Sequence, residues 1–291
     1  MEEKEKANHV FLKVKDHSVS GEEFKLVENP EYGFLETIPK PTQASLSKYY
    51  QSEDYISHTD ANRNWFEKVY HFIRTITLKR KLRLINNYAR ESKNLLDIGC
   101  GTGDFLQAAK QKGWNVVGIE PNERARKTAN KKINSIVYQP EQLSKIEDNS
   151  FDVITLWHVL EHLPNLYDQI ALFKKLLKPN GTLVIAVPNY KSFDATHYKN
   201  FWAAYDVPRH LWHFDTASIS NLLSRQSLKV IKIKPMWFDA FYVSLLSEKY
   251  KSGKMNIIKG FCVGLSSNLK SLATKEASSL IYVAKNNQNL V

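Results

Sequence analysis

From Lys93 onward, apolar runs alternate with polar or amphipathic stretches, and that alternation permits few folds. The runs are KNLLDIG, WNVVGIE, SIVYQ, FDVITLWH, TLVIAVPN, LKVIKIK and SSLIYVAKN, each compact enough for a buried strand. Between them, DFLQAAKQKG (stopping at Gly113), NERARKTANKK, LYDQIALFKKLLK and TASISNLLSRQ read as helices, the last capped by Asp215. Strands alternating with helices predict an α/β fold with a doubly wound, seven-stranded, mostly parallel sheet. Residues 65–90 repeat apolar side chains on one helical face, at Val69, Phe72, Ile73, Ile76, Leu82 and Ile85. Residues 1–45 carry the breakers VSGEEF, NPEYGF and IPKPT and read as short extended segments. The expected division is an N-terminal segment 1–45, a helical cap and linker 46–93, and a main domain 94–291. Insertions at 190–214 and 236–275 interrupt that domain.

The first run ends in LLDIGCGTGDF, where Gly99, Gly101 and Gly103 surround Cys100 and follow Asp97. Glycine weakens regular structure, so three at alternate positions imply a sharp turn and close approach of a ligand. A strand, a glycine turn and a helix put bare backbone at the carboxyl edge of the sheet, where cofactors bind in open α/β folds. The spacing is G-x-G-x-G, and Asp104 follows where a dinucleotide site would keep the acid away from a pyrophosphate. Asp97 and Asp104 suit a cation, and S-adenosylmethionine carries a sulfonium and an ammonium. Glu120, followed by Pro121, ends the second strand, where a carboxylate can accept both hydroxyls of an adenosine ribose.

LLDIGCGTGDF, GIEPN, SFDVITLWHVLEHL and LLKPNGTLVIAVPN together resemble class I S-adenosylmethionine-dependent methyltransferases, closest in flavour to the ubiquinone-pathway O-methyltransferases. The likeness runs clearly over residues 94–189 and more loosely to Val230. It implies a sheet whose last strand, SLIYVAK, runs antiparallel. It implies that Asp97, Gly99, Gly101 and Gly103 surround the methionine part of the cofactor and that Glu120 binds the ribose. In PEQL, Glu141 and Gln142 both remain candidates for the adenine, and Trp157, His158 and His162 would border the sulfonium. Relatives often begin with a zinc ribbon whose second knuckle reads C-x-x-C-G. NPEYG stands there, with Asn29 and Tyr32 in place of thiolates, so a metal-free ribbon is expected.

HVLEH, His158 to His162, matches the H-x-x-E-H pattern of some zinc peptidases. It directly follows a strand, and no third ligand is specified, so no metal site is expected. Glu161 and His162 read instead as a buried brace of the loop. The catalytic candidates lie in WAAYDVPRHLWHF, which offers Tyr205, Asp206, Arg209, His210 and His213 among large rings. Arg209 would hold an anionic group of the acceptor, His210 or His213 would take a proton, and the aromatics would wall the acceptor. The stretch Trp237, Phe238, Phe241, Tyr242, Leu245 and Leu246 reads as core packing. A cover for the acceptor and a membrane contact are its other readings.

The formal charge of +11 favours anionic partners. LKRKLR, Leu78 to Arg83, reads as a solvated helix face. Two distant cysteines, Cys100 and Cys262, exclude a disulfide framework and a cysteine-based zinc site. The N-terminus lacks an apolar signal core and no run reaches membrane-span length, so a cytoplasmic protein is expected. The resulting expectation is methylation of a small molecule at oxygen, with S-adenosyl-L-methionine as cofactor. The alternatives are an RNA or protein methyltransferase and a cofactor-binding module without catalysis. A nicotinamide oxidoreductase is disfavoured by Asp104. LWHV, rather than an N-P-P-Y type tetrapeptide after strand four, disfavours base methylation. The sequence does not set the oligomeric state.

Overall fold

The computed structural model describes residues 9–42, 45, 47–50, 63–89 and 92–287. Residues 46, 51–62, 90 and 91, part of the stretch read as a cap and linker, lie outside the described residues. So do residues 1–8, on which the reading of the N-terminus falls.

The main sheet has seven strands: β4 (Asn94–Ile98), β5 (Asn115–Ile119), β6 (Val137–Tyr138), β7 (Phe151–Trp157), β8 (Leu177–Pro188), β10 (Leu228–Pro235) and β11 (Ser279–Asn286). Their spatial order is β10-β11-β8-β7-β4-β5-β6. Neighbours from β6 to β8 pair in parallel, and β11 alone is reversed, antiparallel to both β8 and β10. From β4 the chain winds outward through β5 and β6, then returns to β7 on the other side. The carboxyl ends of β4, β5 and β7 therefore form the topological switch point, the place where such sheets open a crevice.

Alternation along the strands explains the two faces. Leu95, Val153, Val184 and Val283 face one way, onto α1 (Arg63–Asn86), α2 (Asp104–Lys110) and α3 (Glu123–Ile133). Leu96, Ile154, Leu183 and Ile185 face the other way, onto α4 (Leu166–Leu176) and α6 (Thr216–Arg225). The capping box of α6 forms as its sequence suggests, with Asp215 accepting from Ser218 N at 2.8 Å.

A second, antiparallel sheet joins β1 (Val10–Lys15), β2 (Glu23–Glu28), β3 (Leu35–Ile38) and β9 (Trp212–His213). The 190–214 insertion thus completes a sheet begun at the other end of the chain. In the β2–β3 turn, Asn29 Oδ1 accepts from Glu31 N and Tyr32 N, both at 3.0 Å, so a side-chain amide pins the loop. The insertion also holds α5 (Phe193–Tyr198). Its rings Tyr190, Tyr198, Trp202 and Tyr205 are buried against Val14, Phe24, Leu26 and Leu35. The expected aromatic wall around an acceptor is, for these rings, the core between the small sheet and the insertion. Residues 236–275 fold as a helical hairpin of α7 (Asp239–Ser252) and α8 (Ile257–Thr274).

Candidate active site

The glycine turn leaves β4 with Gly99, Gly101 and Gly103 at φ of 68°, 54° and 78°, a left-handed run that side chains resist. Two of the three are also packed too closely for a side chain. A Cβ on Gly99 would lie 2.4 Å from Val159 Cγ2, and one on Gly103 2.8 Å from Ala129 Cβ. Gly101 faces open space, with nothing within 4 Å of where a Cβ would stand. That is the surface a ligand can approach.

Glu120 follows β5 and turns its carboxylate onto this loop. Oε2 accepts from Gly101 N and Oε1 from Asn122 N, each at 2.9 Å. Each oxygen keeps a second lone pair, the number two vicinal hydroxyls need. The Pro121 carbonyl accepts from Arg126, at 2.6 Å, and contributes backbone shape only. Cys100 is buried with its Sγ beneath Gly118, where a Cβ would come within 2.7 Å of it. Burial pushes its thiol pKa up, so only its backbone is available to a ligand.

Asp97 is 2% exposed and accepts from Thr155 Oγ1 at 2.6 Å. Burial raises its pKa from 3.8 to about 7; the Thr155 bond and the Lys81 charge pull the other way. Such a carboxyl is poised for a cation. Asp104 is not: Arg74 and Lys132 both pair with it, Lys132 at 2.7 Å. The charge argument made from sequence rested on Asp97 and Asp104; Asp104 is neutralised by structural partners, which leaves Asp97 to carry it.

Lys81 corrects the reading of LKRKLR as wholly solvated. Lys79, Arg80 and Arg83 are exposed, but Lys81 is half-buried and lies over the Trp157 ring, 4.3 Å from its centroid. It shares a helical face with Leu78, Leu82 and Ile85, and that spacing was the available signal. Trp157 also packs edge-on against Phe105, and its buried Nε1 has no partner.

His158 and His162, both expected to border the sulfonium, go separate ways. His158 adopts a left-handed backbone, φ 58°, and points Nε2 to Asp239 Oδ2 at 2.9 Å. Burial draws its pKa down, but Asp239 and Glu161 outweigh that and raise it to about 10. His162 Nδ1 instead meets the Arg209 carbonyl at 3.0 Å, and its ring stands edge-on to His210, 4.5 Å away. His210 Nδ1 meets the Ala204 carbonyl at 2.9 Å. A carbonyl accepts only, so both rings carry their proton on Nδ1, and His210 Nε2 stands 3.8 Å from Asp206 Oδ2. Glu161 is 1% exposed, and no hydrogen bond reaches either carboxylate oxygen; His158 Nδ1 stands 3.5 Å off. Ligand atoms of Glu161, His162 and His210 lie within 4.8 Å of one another. Imidazoles held through Nδ1 on backbone carbonyls, beside a buried carboxylate, fit a divalent cation. His210, the third member of this group, lies far along the chain from HVLEH.

The other catalytic candidates are braces. Arg209 pairs with Asp206 through Nε at 2.9 Å and also donates to the Tyr49 carbonyl at 2.7 Å and Ser18 Oγ at 2.6 Å. Its fork ties the insertion to the N-terminal segment rather than holding a substrate anion. His213 is buried, its Nε2 2.9 Å from Thr37 Oγ1, whose own proton goes to the His210 carbonyl at 2.6 Å. His213 therefore donates from Nε2, and burial keeps it neutral, well below its ordinary pKa. Burial also lowers His210, to about 4, so at neutral pH it is a weak proton acceptor but a good neutral ligand. After β6, Gln142 Oε1 accepts from Gln139 N at 3.1 Å, which occupies its carbonyl, while Glu141 is exposed.

Comparison with known proteins bears on this geometry. The model of a family described as a methyltransferase domain matches residues 67–233. The ubiquinone biosynthesis O-methyltransferase of Actinobacillus pleuropneumoniae serotype 5b is 38% identical over 108 residues, 33% of this chain and 46% of that protein. The chain thus spans less than half the length of that relative. The protein of the same name from Idiomarina loihiensis is 26% identical over 170 residues, 54% of this chain and 70% of its own. Among solved structures, the magnesium protoporphyrin IX methyltransferase of Synechocystis PCC 6803, with bound SAH, superimposes with TM-score 0.54 at 15% identity. It covers 84% of this chain and 99% of its own, a likeness of fold.

Proposed function

Because the chain belongs to the methyltransferase-domain family, we propose that it is an S-adenosylmethionine-dependent methyltransferase acting on a small molecule at oxygen. The observation that carries this is the Glu120 carboxylate, hydrogen-bonded at 2.9 Å to Gly101 N across a loop whose Gly101 faces open space. Glu120 holds the ribose and Asp97 the ammonium of the methionine part. Glu141, rather than the occupied Gln142, meets the adenine. When bound, the cofactor supplies a methyl group activated by a positively charged sulfur. The chain aligns the acceptor and excludes water, which removes much of the entropic barrier. Glu161, His162 and His210 would hold a divalent cation, and such a cation would polarise an acceptor oxygen. The names of the relatives support oxygen as the acceptor atom.

A transfer assay with labelled cofactor on a metabolite extract tests this reading. Label is expected in small molecules and unchanged by nuclease. Label that vanishes with nuclease, in keeping with the +11 charge, would replace the acceptor class with RNA.

The pH dependence of binding follows from Asp97. In the absence of cofactor its pKa is raised to about 7, so the group stabilises the cofactor-free fold below its unfolded value of 3.8. That stability is lost as pH rises through 7. A bound ammonium favours the carboxylate, so cofactor affinity rises with pH from 5 to 7. The slope approaches about tenfold per unit at its acid end. Calorimetry in buffers of different ionisation enthalpy is expected to show proton release on binding. Lys81→Met, which removes a positive charge, is expected to move the midpoint upward. An affinity flat in pH excludes Asp97 as the ammonium partner.

A further inference from the structure

The α7–α8 hairpin is built inside out. The buried side of α8 is Gly260, Gly264, Ser267, Asn268 and Ser271. A Cβ on Gly260 or Gly264 would come within 2.9 Å of the α7 backbone, at Leu245 and Ala240, so the two helices touch backbone to backbone. The polar members of that side bond inward: Ser267 donates to Asp194 at 2.6 Å, Asn268 Nδ2 to the Trp237 carbonyl at 2.8 Å and Ser271 to the Asn268 carbonyl at 2.7 Å, while the buried Asn268 Oδ1 has no partner among the described residues. The large apolar side chains are on the outside. Ile258 is 77% exposed, and Phe261, Leu265, Leu269 and Leu272 continue the same helical face. At the tip, Met255 and Ile257 are also exposed. Helices in water bury the large residues and expose the polar ones; helices surrounded by hydrocarbon do the reverse and pack through small residues.

Charge identifies the surrounding phase. Residues 236–275 contain six lysines, Lys249, Lys251, Lys254, Lys259, Lys270 and Lys275, against two acids, Asp239 and Glu248. Neither acid is on the outer face: Asp239 pairs with His158, and Glu248 is buried, accepting from Tyr198 at 3.1 Å. Lys251, Lys254 and Lys259 are exposed around the apolar tip. A second copy of this chain would bring those lysines against their own kind. A bilayer with anionic headgroups offers apolar depth under the tip and negative charge around it. No helix among the described residues is long and apolar enough to cross a membrane.

We propose that the outer face of α8 and the hairpin tip dock the protein on the surface of an anionic lipid bilayer. Through Asp239, the first residue of α7, the hairpin reaches His158 at the end of β7, so the docked element is tied to that end of the main sheet. The proposal rests on the hairpin alone and stands or falls separately from the identity of the cofactor.

Flotation of the full chain with phosphatidylcholine vesicles, with and without phosphatidylglycerol, tests it. The chain is expected to float with the phosphatidylglycerol vesicles and not with pure phosphatidylcholine. Replacing Lys251, Lys254 and Lys259 by Gln is expected to weaken binding by at least about tenfold. The pair Ile258→Asp and Phe261→Asp, both at exposed positions, is expected to abolish it, and Ile258→Asp alone, which leaves the Phe241–Phe261 stack in place, to weaken it. Thermal unfolding, measured in parallel, should be unchanged and reports that the variants are folded. Absence of flotation at low ionic strength overturns the proposal, as does flotation that survives the Asp pair. A wild-type dimer converted to monomer by the Asp pair would assign the face to a second copy instead.

Discussion

Glu120→Ala is expected to weaken S-adenosylmethionine binding by about 100-fold, or ~2.7 kcal/mol, with the fold retained. The size follows from what the carboxylate does twice. It would accept the ribose hydroxyls, and hydrogen bonds to an ionised group are worth more than neutral ones. It also accepts from Gly101 N and Asn122 N, so alanine leaves two loop N–H groups without their partner and loosens the turn. Glu120→Gln keeps one acceptor oxygen and is expected to fall between the two. Calorimetry measures all three proteins, and thermal unfolding without cofactor separates lost binding from lost structure. An Ala variant with unchanged affinity removes Glu120 from the ribose site.

His210→Ala is expected to lower turnover by about 100-fold while leaving cofactor affinity within about twofold. His210 is held by the Ala204 carbonyl and grouped with His162 and Glu161, and it is not among the residues proposed to hold the cofactor. Chelator treatment of the wild-type protein is expected to produce a similar loss, and added divalent cation to restore the wild type but not the variant. His213→Ala behaves differently, because that ring braces Thr37 across the β3–β9 pair. It is expected to lower stability with turnover largely kept. Full turnover in His210→Ala contradicts the role of the cluster.

Much of the fold was legible because its signals are local. The strands from LLDI to LIYVA each announce themselves by a short apolar run, and the glycines of GCGTG do mark a left-handed turn. Glu120 was legible because its place at the end of β5 fixes its direction. What was not legible depends on partners far along the chain. Trp212 and His213 pair with Glu36 and Leu35, so the histidine-rich insertion serves partly as the fourth strand of an N-terminal sheet. No local pattern marks that pairing. Arg209 looked like an anion binder because its partners, Asp206, Tyr49 and Ser18, could be assembled only by the fold. His158 was expected beside the sulfonium, from its place at the end of the fourth strand, and its backbone turn could not be foreseen. The chain instead turns left-handed there and swings the ring to Asp239. Lys81 was lost in a basic run because charge was read before helical position.

The most direct test of the central claim is a crystal soaked with S-adenosylhomocysteine. The expected result is density along the glycine turn, with both ribose hydroxyls on Glu120 and the amino group at Asp97. An undisturbed turn with the ligand absent or bound elsewhere would contradict the assignment of this edge as the cofactor site.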